Sequence, residues 1–157
     1  LAVGFYMSMY EAYGLYALHK SIGMCIFAVI LLRVIWRIKN GWPVPVRDYP
    51  TWERRLARLT FWVLILGTLI MPISGFLFSG AGGFGVEVFG LTIAPANPDP
   101  IDPTKVIPYN EVVSDIGHEV HESVGYILTI ALLLHISGAL KHHLIDKDRT
   151  LLRMLGK

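Results

Sequence analysis

Two histidines, His121 and His135, stand 14 residues apart within the long apolar stretch 116–145. Fourteen residues at about 100° each end roughly 40° from a whole number of helical turns, so both imidazoles leave the same helix face. At about 1.5 Å per residue they lie roughly 21 Å apart along the axis, which is most of the hydrocarbon thickness of a bilayer. Because titratable side chains are expensive inside a membrane, the spacing favours two haem ligands, one near each membrane surface. The alternative is that either histidine only forms hydrogen bonds inside a helix bundle.

The elements that must position these histidines are apolar segments of membrane-spanning length. Hydrophobic residues make up 54% of the 157 residues and charged residues 17%, which is too apolar for a typical soluble domain. Three segments are long enough to cross a bilayer as helices: 16–38, 56–78 and 116–145. Residues 1–10 are apolar but short, and we interpret them as the end of a span that begins outside this chain. The expectation is one all-α domain, residues 1–157, that forms a four-helix transmembrane bundle with a truncated first helix.

The distribution of charge predicts which ends of the spans face the cytoplasm. Residues 33–58 carry seven bases and two acids, residues 141–157 carry five bases and two acids, and residues 79–117 carry one base and five acids. By the positive-inside rule, the two basic segments and the C-terminus are cytoplasmic, and 79–117 is an outer loop. The net charge of +2 follows from these anchors and does not indicate nucleic-acid binding.

The outer loop 79–117 is interrupted by many glycines and prolines, which indicate turns. Residues 88–93 could form a short strand or lie in the membrane interface. Because a loop of this length in a small bundle is usually functional or disordered, we interpret it as a cap over an outward-facing cofactor.

The remaining histidines can be sorted by their depth in the predicted spans. His19 lies near the outer end of its span, at the depth of His121, and two imidazoles that face each other across a bundle can be the axial pair of one low-spin haem. His135 lies towards the cytoplasmic side and has no His or Met at clearly matching depth in the first two complete spans. His118 could compete for the outer haem, although a position at the surface fits it better. A zinc site is not indicated, because one cysteine and scattered histidines do not supply four close ligands.

Nearly the whole chain resembles the bacterial cytochrome b561 family. The resemblance rests on LHKSIG at 18–23, RVIWR at 33–37, PISG at 72–75, FGL at 89–91, ALKHHLIDKD at 139–148 and TLLRM at 150–154. The family's 14-residue interval between histidines is preserved by His121 and His135. The resemblance implies a four-helix cytochrome of the bacterial inner membrane with two b haems.

The same resemblance implies roles for individual residues. It implies that His19 and His121 ligate the outer haem iron and that His135 is one ligand of the inner haem. The family's other inner ligand is a His early in the first helix, a segment that the given sequence does not include, so the resemblance carries over only one of the two inner ligands. At the cytoplasmic end, Arg33, Arg37 and His143 could meet a quinone head group or a haem propionate.

Two kinds of function are known among proteins of this kind. Some members oxidise superoxide at the outer face and pass the electron to ubiquinone, and others are cytochrome b subunits of hydrogenases or other dehydrogenases. We expect haem-b electron transfer between a periplasmic donor and the quinone pool, with superoxide:ubiquinone oxidoreductase as the enzyme hypothesis. The alternative is an electron-transfer subunit of a membrane dehydrogenase, hydrogenase or respiratory complex. For superoxide, Lys20 is the obvious base beside the outer haem, and Lys105 could fold over it.

Overall fold

The computed structural model describes residues 1–42 and 48–154. In chain order, its elements are α1 (Ala2–Tyr10), a short 3-10 turn (Tyr13–Leu15), α2 (Tyr16–Asn40), α3 (Thr51–Ala81), β1 (Phe84–Val88), β2 (Leu91–Ala96), α4 (Glu111–Leu144) and α5 (Thr150–Met154). Two of the bases counted for orientation, Arg47 and Lys157, lie outside the described residues.

Three helices in the described part of the chain are long and apolar enough to cross a membrane: α2 with its preceding turn, α3 and α4. They correspond to the three predicted spans, but α3 begins at Thr51 rather than residue 56, and α4 begins at Glu111 rather than residue 116. Polar residues extend both helices, because backbone hydrogen bonding continues past the apolar segment. At α4, the Asn110 side chain caps the helix by accepting the N–H of Val113 at 3.0 Å.

The prediction of an all-α protein is wrong in the outer loop, where β1 and β2 form an antiparallel hairpin. The pair Val88 and Leu91 closes the hairpin, and Phe89 and Gly90 make its two-residue turn. The segment 88–93, expected to form a short strand or to lie in the interface, therefore straddles the turn. Both turn residues have positive φ, which matches the twist of the flanking strands. The turn is Phe-Gly and not the Asn-Gly or Asp-Gly pair that usually marks a two-residue hairpin, so the hairpin was not evident from the sequence.

Small residues bring α3 and α4 into close contact along their length. A Cβ on Gly67 would stand 2.6 Å from the Leu128 side chain, and a Cβ on Gly117 would stand 2.6 Å from the backbone nitrogen of Phe78. The buried hydroxyl of Ser114 donates to the Phe78 carbonyl at 3.2 Å. Close glycine contacts and hydroxyl bonds between helices are typical of packing in a membrane, where large apolar side chains face lipid.

Helix α2 lies differently, since it packs against α3 and the hairpin rather than against α4. Within the described residues, no Cα atom of α2 comes within 8 Å of a Cα atom of α4. Helix α1 lies beside this gap, with the Phe5 ring 5.4 Å from the ring of Tyr126 on α4. The space between α2 and α4 is the place where the predicted histidine pair meets.

Candidate functional site

His19 and His121 face each other across the gap between α2 and α4. Their ring centres are 6.1 Å apart and their ring planes are inclined at 85°. His19 leaves the first turn of α2, and His121 leaves α4 ten residues after Glu111. Both rings are partly buried. Gly4 of α1 lies beside the His19 ring, since a Cβ added at Gly4 would stand 3.6 Å from His19 Cε1. The structure thus brings together the two histidines that the sequence predicts as an axial pair.

The orientation of the His121 ring is set by α3. Its Nδ1 lies 2.8 Å from the Met71 carbonyl, with the Ser74 hydroxyl at 3.3 Å. A carbonyl can only accept, so Nδ1–H is the donor and Nε2 keeps its lone pair. Gly75 makes room for the ring, since a Cβ there would stand 2.9 Å from His121 Cε1. A carbonyl bond of this kind is how metal-binding histidines are usually fixed.

The pair has the dimensions that one iron would require. A metal–imidazole bond is about 2 Å, and the ring centre lies about 1 Å behind the nitrogen, so two imidazoles on opposite sides of one iron have centres roughly 6 Å apart. The separation of 6.1 Å between His19 and His121 agrees with this value. Neutral imidazoles are also the donor type that holds b haems. The residues present therefore fit a haem at this position.

His118 and His135, the other two candidate haem ligands on α4, lie away from the His19–His121 pair. The His118 ring packs on Phe78, with ring centres 4.7 Å apart, and its side chain is exposed. His135 is exposed on α4, and within the described residues its side chain makes no hydrogen bond, ion pair or ring contact. The structure does not bring a described histidine to His135.

Lys20 has a structural contact that the sequence did not reveal. Its ammonium donates to the Gly85 carbonyl of the hairpin at 2.8 Å. Together with Ala17, Glu87 and other hairpin residues, it lines a small pocket of about 150 Å³. The Lys105 ammonium lies 3.3 Å from Asp102 within the loop, and the Lys105 side chain is 74% exposed. Lys20 thus follows His19 directly in the sequence and also holds the hairpin against α2 through the Gly85 carbonyl.

Arg33, Arg37 and His143 stand at the opposite end of the bundle from the hairpin. Arg33 and His143 are exposed, and Arg37 is partly buried. Across residues 1–42 and 48–154, none of the three side chains forms a hydrogen bond or an ion pair. The structure places them at one end of the bundle without bringing them into contact.

A polar cluster at that same end was missed by the sequence reasoning. We call it the C-terminal latch and define it by Tyr49, Glu53, Lys141, His142, Asp146 and Asp148. Lys141 Nζ contacts Glu53 at 2.8 Å and Asp146 at 3.0 Å. His142 Nδ1 lies 2.8 Å from Asp146, and the Tyr49 hydroxyl donates to Asp148 at 2.6 Å. The i,i+4 spacing of His142 and Asp146 is a local signal, but the partners from 49–53 could not be found from spacing.

The latch controls the ionisation of Asp148. Burial favours the neutral carboxyl group, but hydrogen bonds from Tyr49 and Thr150 outweigh it and lower the pKa of Asp148 to about 2. Glu53, His142 and Asp146 are also the one group of His, Cys, Asp and Glu in the described chain with ligand atoms close enough to hold a metal ion. In this group the Lys141 ammonium lies between Glu53 and Asp146, and it supplies there the positive charge that a metal ion would otherwise provide.

Comparison with known proteins gives the same family as the sequence motifs. The family described as prokaryotic cytochrome b561 matches residues 1–157. Cytochrome b561 homolog 2 of Escherichia coli is 35% identical over 89% of this chain and 70% of its own length. Cytochrome b561 homolog 1 of the same organism is 29% identical over 88% of this chain and 73% of its length. The probable superoxide oxidase CybB of Yersinia pestis is 26% identical over 89% of this chain and 74% of its length.

Proposed function

This chain belongs to the prokaryotic cytochrome b561 family, and we propose that it carries electrons between a donor on the hairpin side of the inner membrane and the quinone pool. Membership makes it a haem-b electron-transfer protein of a bacterial membrane. The proposal assigns the hairpin end to the periplasm and the C-terminal latch to the cytoplasm, on the basis of the positive-inside rule.

The observation that carries the proposal is the pair of imidazoles across the α2–α4 gap. His19 and His121 would hold the iron of the outer haem, and their ring-centre separation of 6.1 Å supports this assignment. The Met71 carbonyl supports the assignment further, because it holds the proton of His121 on Nδ1 and leaves Nε2 for the metal. When bound, haem b supplies a one-electron iron couple, with the protein contributing ligation, position and polarity.

At the cytoplasmic end, we assign His135 as a ligand of a second haem. It stands 14 residues along α4 from His121, or about 21 Å, on nearly the same helix face. Its ring is exposed and makes no hydrogen bond, ion pair or ring contact within the described residues, so it is available to a ligand. We assign Arg33, Arg37 and His143 to the neighbourhood of a ubiquinone head group or a haem propionate, where guanidinium and imidazole groups can donate hydrogen bonds to oxygen.

The decisive experiment replaces His121 with an apolar side chain of similar size. His121→Leu should remove one b-type haem per chain, because His19 then has no partner, while the protein still inserts into the membrane. The measurement is the ratio of haem to protein in purified material, with the reduced-minus-oxidised spectrum. His118→Leu is the matched control, since His118 lies three residues away against Phe78, and it should keep full haem content. Full haem content and an unchanged low-spin spectrum in His121→Leu would refute the assignment.

For the electron donor, we favour superoxide, because one of the relatives is a probable superoxide oxidase. Superoxide is a small anion, and its approach is accelerated by positive potential close to the site. Lys20 follows His19 directly and lines the pocket between α2 and the hairpin. Glu87 shares that pocket, so the local potential depends on the Lys20 charge being retained.

Lys20→Glu tests the charge of Lys20, although it also removes the bond to the Gly85 carbonyl and therefore needs a control for the hairpin contact. Lys20→Glu should reduce the rate of haem reduction by superoxide about threefold or more at low ionic strength, because it reverses the charge that attracts the anion. Added salt should shrink the difference, since screening shortens the range of attraction. Reduction by quinol from the other end should be unaffected. The measurement is stopped-flow absorbance of the haem.

Ser21→Ala is the matched control for the preceding variant. It removes a hydroxyl that contacts the hairpin at Glu87 and Phe89 without changing charge. If Ser21→Ala slows superoxide reduction as much as Lys20→Glu does, the effect comes from the hairpin and not from attraction of the anion. If the unmodified protein shows no reduction by superoxide, the donor is another molecule.

The alternative function is an electron-transfer subunit docked to a dehydrogenase, hydrogenase or respiratory complex. Purification in mild detergent followed by mass spectrometry separates the two cases. A stoichiometric partner protein, together with no superoxide reaction, would support the subunit; a lone chain that reacts with superoxide would support the enzyme.

A further inference from the structure

The hairpin exposes an apolar tip although it belongs to the outer loop. Between Phe84 and Ala96, Glu87 is the single charged residue. Three apolar side chains at and beside the tip are strongly exposed: Phe89 at 70%, Leu91 at 65% and Ile93 at 47%. By contrast, the loop that follows is acidic, with Asp99 and Asp102. A cluster of exposed large apolar side chains usually marks an interaction surface.

The tip reaches to the depth of the histidine pair. Ser21 Oγ accepts the backbone N–H of Phe89 at 3.0 Å and contacts the Glu87 carbonyl at 3.3 Å. Ser21 is two residues after His19, which corresponds to about 3 Å along α2 towards the middle of the span. The hairpin therefore descends along α2 from Lys20 and ends beside a membrane-spanning helix.

Ser21, which holds the tip, lies about 200° around α2 from His19, so the tip lies on the side of α2 away from that histidine. The hairpin packs on α2 and α3, whereas the Phe5 ring of α1 lies near Tyr126 of α4. On the same part of α2, Leu18 and Ile22 are exposed at 45% and 42%. These side chains belong to the surface that a spanning helix presents to lipid, and the exposed tip is continuous with that surface.

The backbone at Phe89 supports a role for this side chain beyond making the turn. Phe89 has a φ of 49°, and the residue after it is Gly90 with a φ of 89°. A turn of this type favours Asn, Asp or Gly at the first position, and a bulky residue there is an outlier that costs free energy. Strained residues of this kind cluster at functional sites, so the strain motivates a hypothesis of function for this side chain. An aromatic ring at the level of the membrane interface is a common anchor.

From these observations we propose that the hairpin tip, defined by Phe89, Leu91 and Ile93, inserts into the outer leaflet beside α2 and anchors the outer loop to lipid. The lipid acyl chains next to the head groups are the occupant of this surface. Lys20 and Ser21 hold the strand that carries the tip against the helix, through the Gly85 carbonyl and the Phe89 N–H. The anchor is independent of the electron donor.

The test uses cysteine labelling, since the chain contains one cysteine, Cys25. In a Cys25→Ser background, Phe89→Cys and Leu91→Cys are made singly, with Ile101→Cys as the control because Ile101 is 92% exposed in the same loop. Each variant is purified with its haem, reconstituted into phosphatidylcholine vesicles and treated with a charged maleimide that cannot cross membranes. Labelling of Ile101→Cys defines the fraction of protein whose loop faces the reagent.

The expected result is that Phe89→Cys and Leu91→Cys react about tenfold more slowly than Ile101→Cys, because only a solvated thiolate reacts. All three should react equally after denaturation in sodium dodecyl sulfate. Equal rates in vesicles would overturn the proposal. Protection in native membranes that disappears in vesicles would also overturn it, because a protein partner and not lipid would then cover the tip. Leu91→Cys keeps the test valid if the substitution at Phe89 alters the turn.

Discussion

At the scale of single residues, the structure shows how an imidazole can be held without a charged partner. The Met71 carbonyl, which accepts from Nδ1 of His121, lies one helical turn before Gly75 on α3. The missing side chain at Gly75 leaves a space for the ring against the helix, which lets it reach the carbonyl. The position and tautomer of His121 thus depend on two backbone features of α3: the Met71 carbonyl that accepts its proton and the space left by the missing side chain at Gly75.

Adding one methyl group at Gly75 should therefore disturb the histidine pair. In Gly75→Ala the new Cβ would stand 2.9 Å from Cε1 and 3.0 Å from Nδ1 of His121, so the ring must move. We expect haem content to fall by about half or more, since displacements of well under 1 Å matter in a preorganised site. Gly80→Ala on the same helix is the control, because its Cβ would meet its nearest neighbour at 3.9 Å. Equal haem content in both proteins would show that the ring can shift without losing the ligand.

At the scale of elements, the latch joins segments that are far apart in sequence. Lys141 at the end of α4 contacts Glu53 in the first turn of α3, and Tyr49 before α3 contacts Asp148 before α5. Two adjacent helices are thus tied at the end opposite the hairpin, while small residues pack them along their length. The latch keeps the segment after α4 close to the helix ends where a quinone site is proposed.

The latch should weaken in acid through Asp148. Its pKa of about 2 lies below the usual value of about 3.9 for an unfolded chain. A lowered pKa contributes stability that is complete above about pH 4 and is lost as the pH falls through about 2. Hydrogen exchange of residues 145–152, measured as protection factors between pH 5 and 2, should show this loss.

Removal of the Tyr49 hydroxyl provides the matched test of this pH dependence. Tyr49→Phe deletes the donor at 2.6 Å from Asp148, so protection should be lost at a higher pH than in the parent protein. Tyr109→Phe, which changes an exposed tyrosine of the outer loop, should leave the profile unchanged. Coincident profiles for all three proteins would mean that Asp148 does not govern the stability of this segment.

At the scale of the whole molecule, the two ends differ in what they offer a cofactor. The hairpin end has two histidines from different helices facing each other, with ring centres 6.1 Å apart. The latch end has His135 exposed on α4, and no described histidine ring lies against it. For residues 1–157 by themselves, the asymmetry predicts unequal affinity for two haems.

Residues 1–157 expressed as such should therefore bind one haem firmly and low-spin, and a second weakly or five-coordinate on His135. A pyridine haemochrome assay per chain and electron paramagnetic resonance of the oxidised protein measure this difference. His135→Leu should remove only the weak component, whereas His121→Leu should remove the firm one. Two equivalents of stable, fully low-spin haem per chain would contradict the prediction and mean that another group completes the inner site.

The three spans, their order and the family could be predicted from the sequence, because apolar length and histidine spacing are local properties of the chain. The choice of His19 and His121 as facing partners also followed from sequence, through their similar depth. The hairpin, the Met71 carbonyl beside His121 and the contact between Lys141 and Glu53 could not be predicted in this way. Each depends on how separate helices and strands meet. A backbone carbonyl is present at every residue, and a contact between distant segments produces no repeating pattern of residue types. Composition and spacing thus determined the membrane class and the candidate ligands. Tertiary packing alone decided which groups orient those ligands, and which contacts hold the hairpin at one end of the bundle and join α3 to α4 at the other.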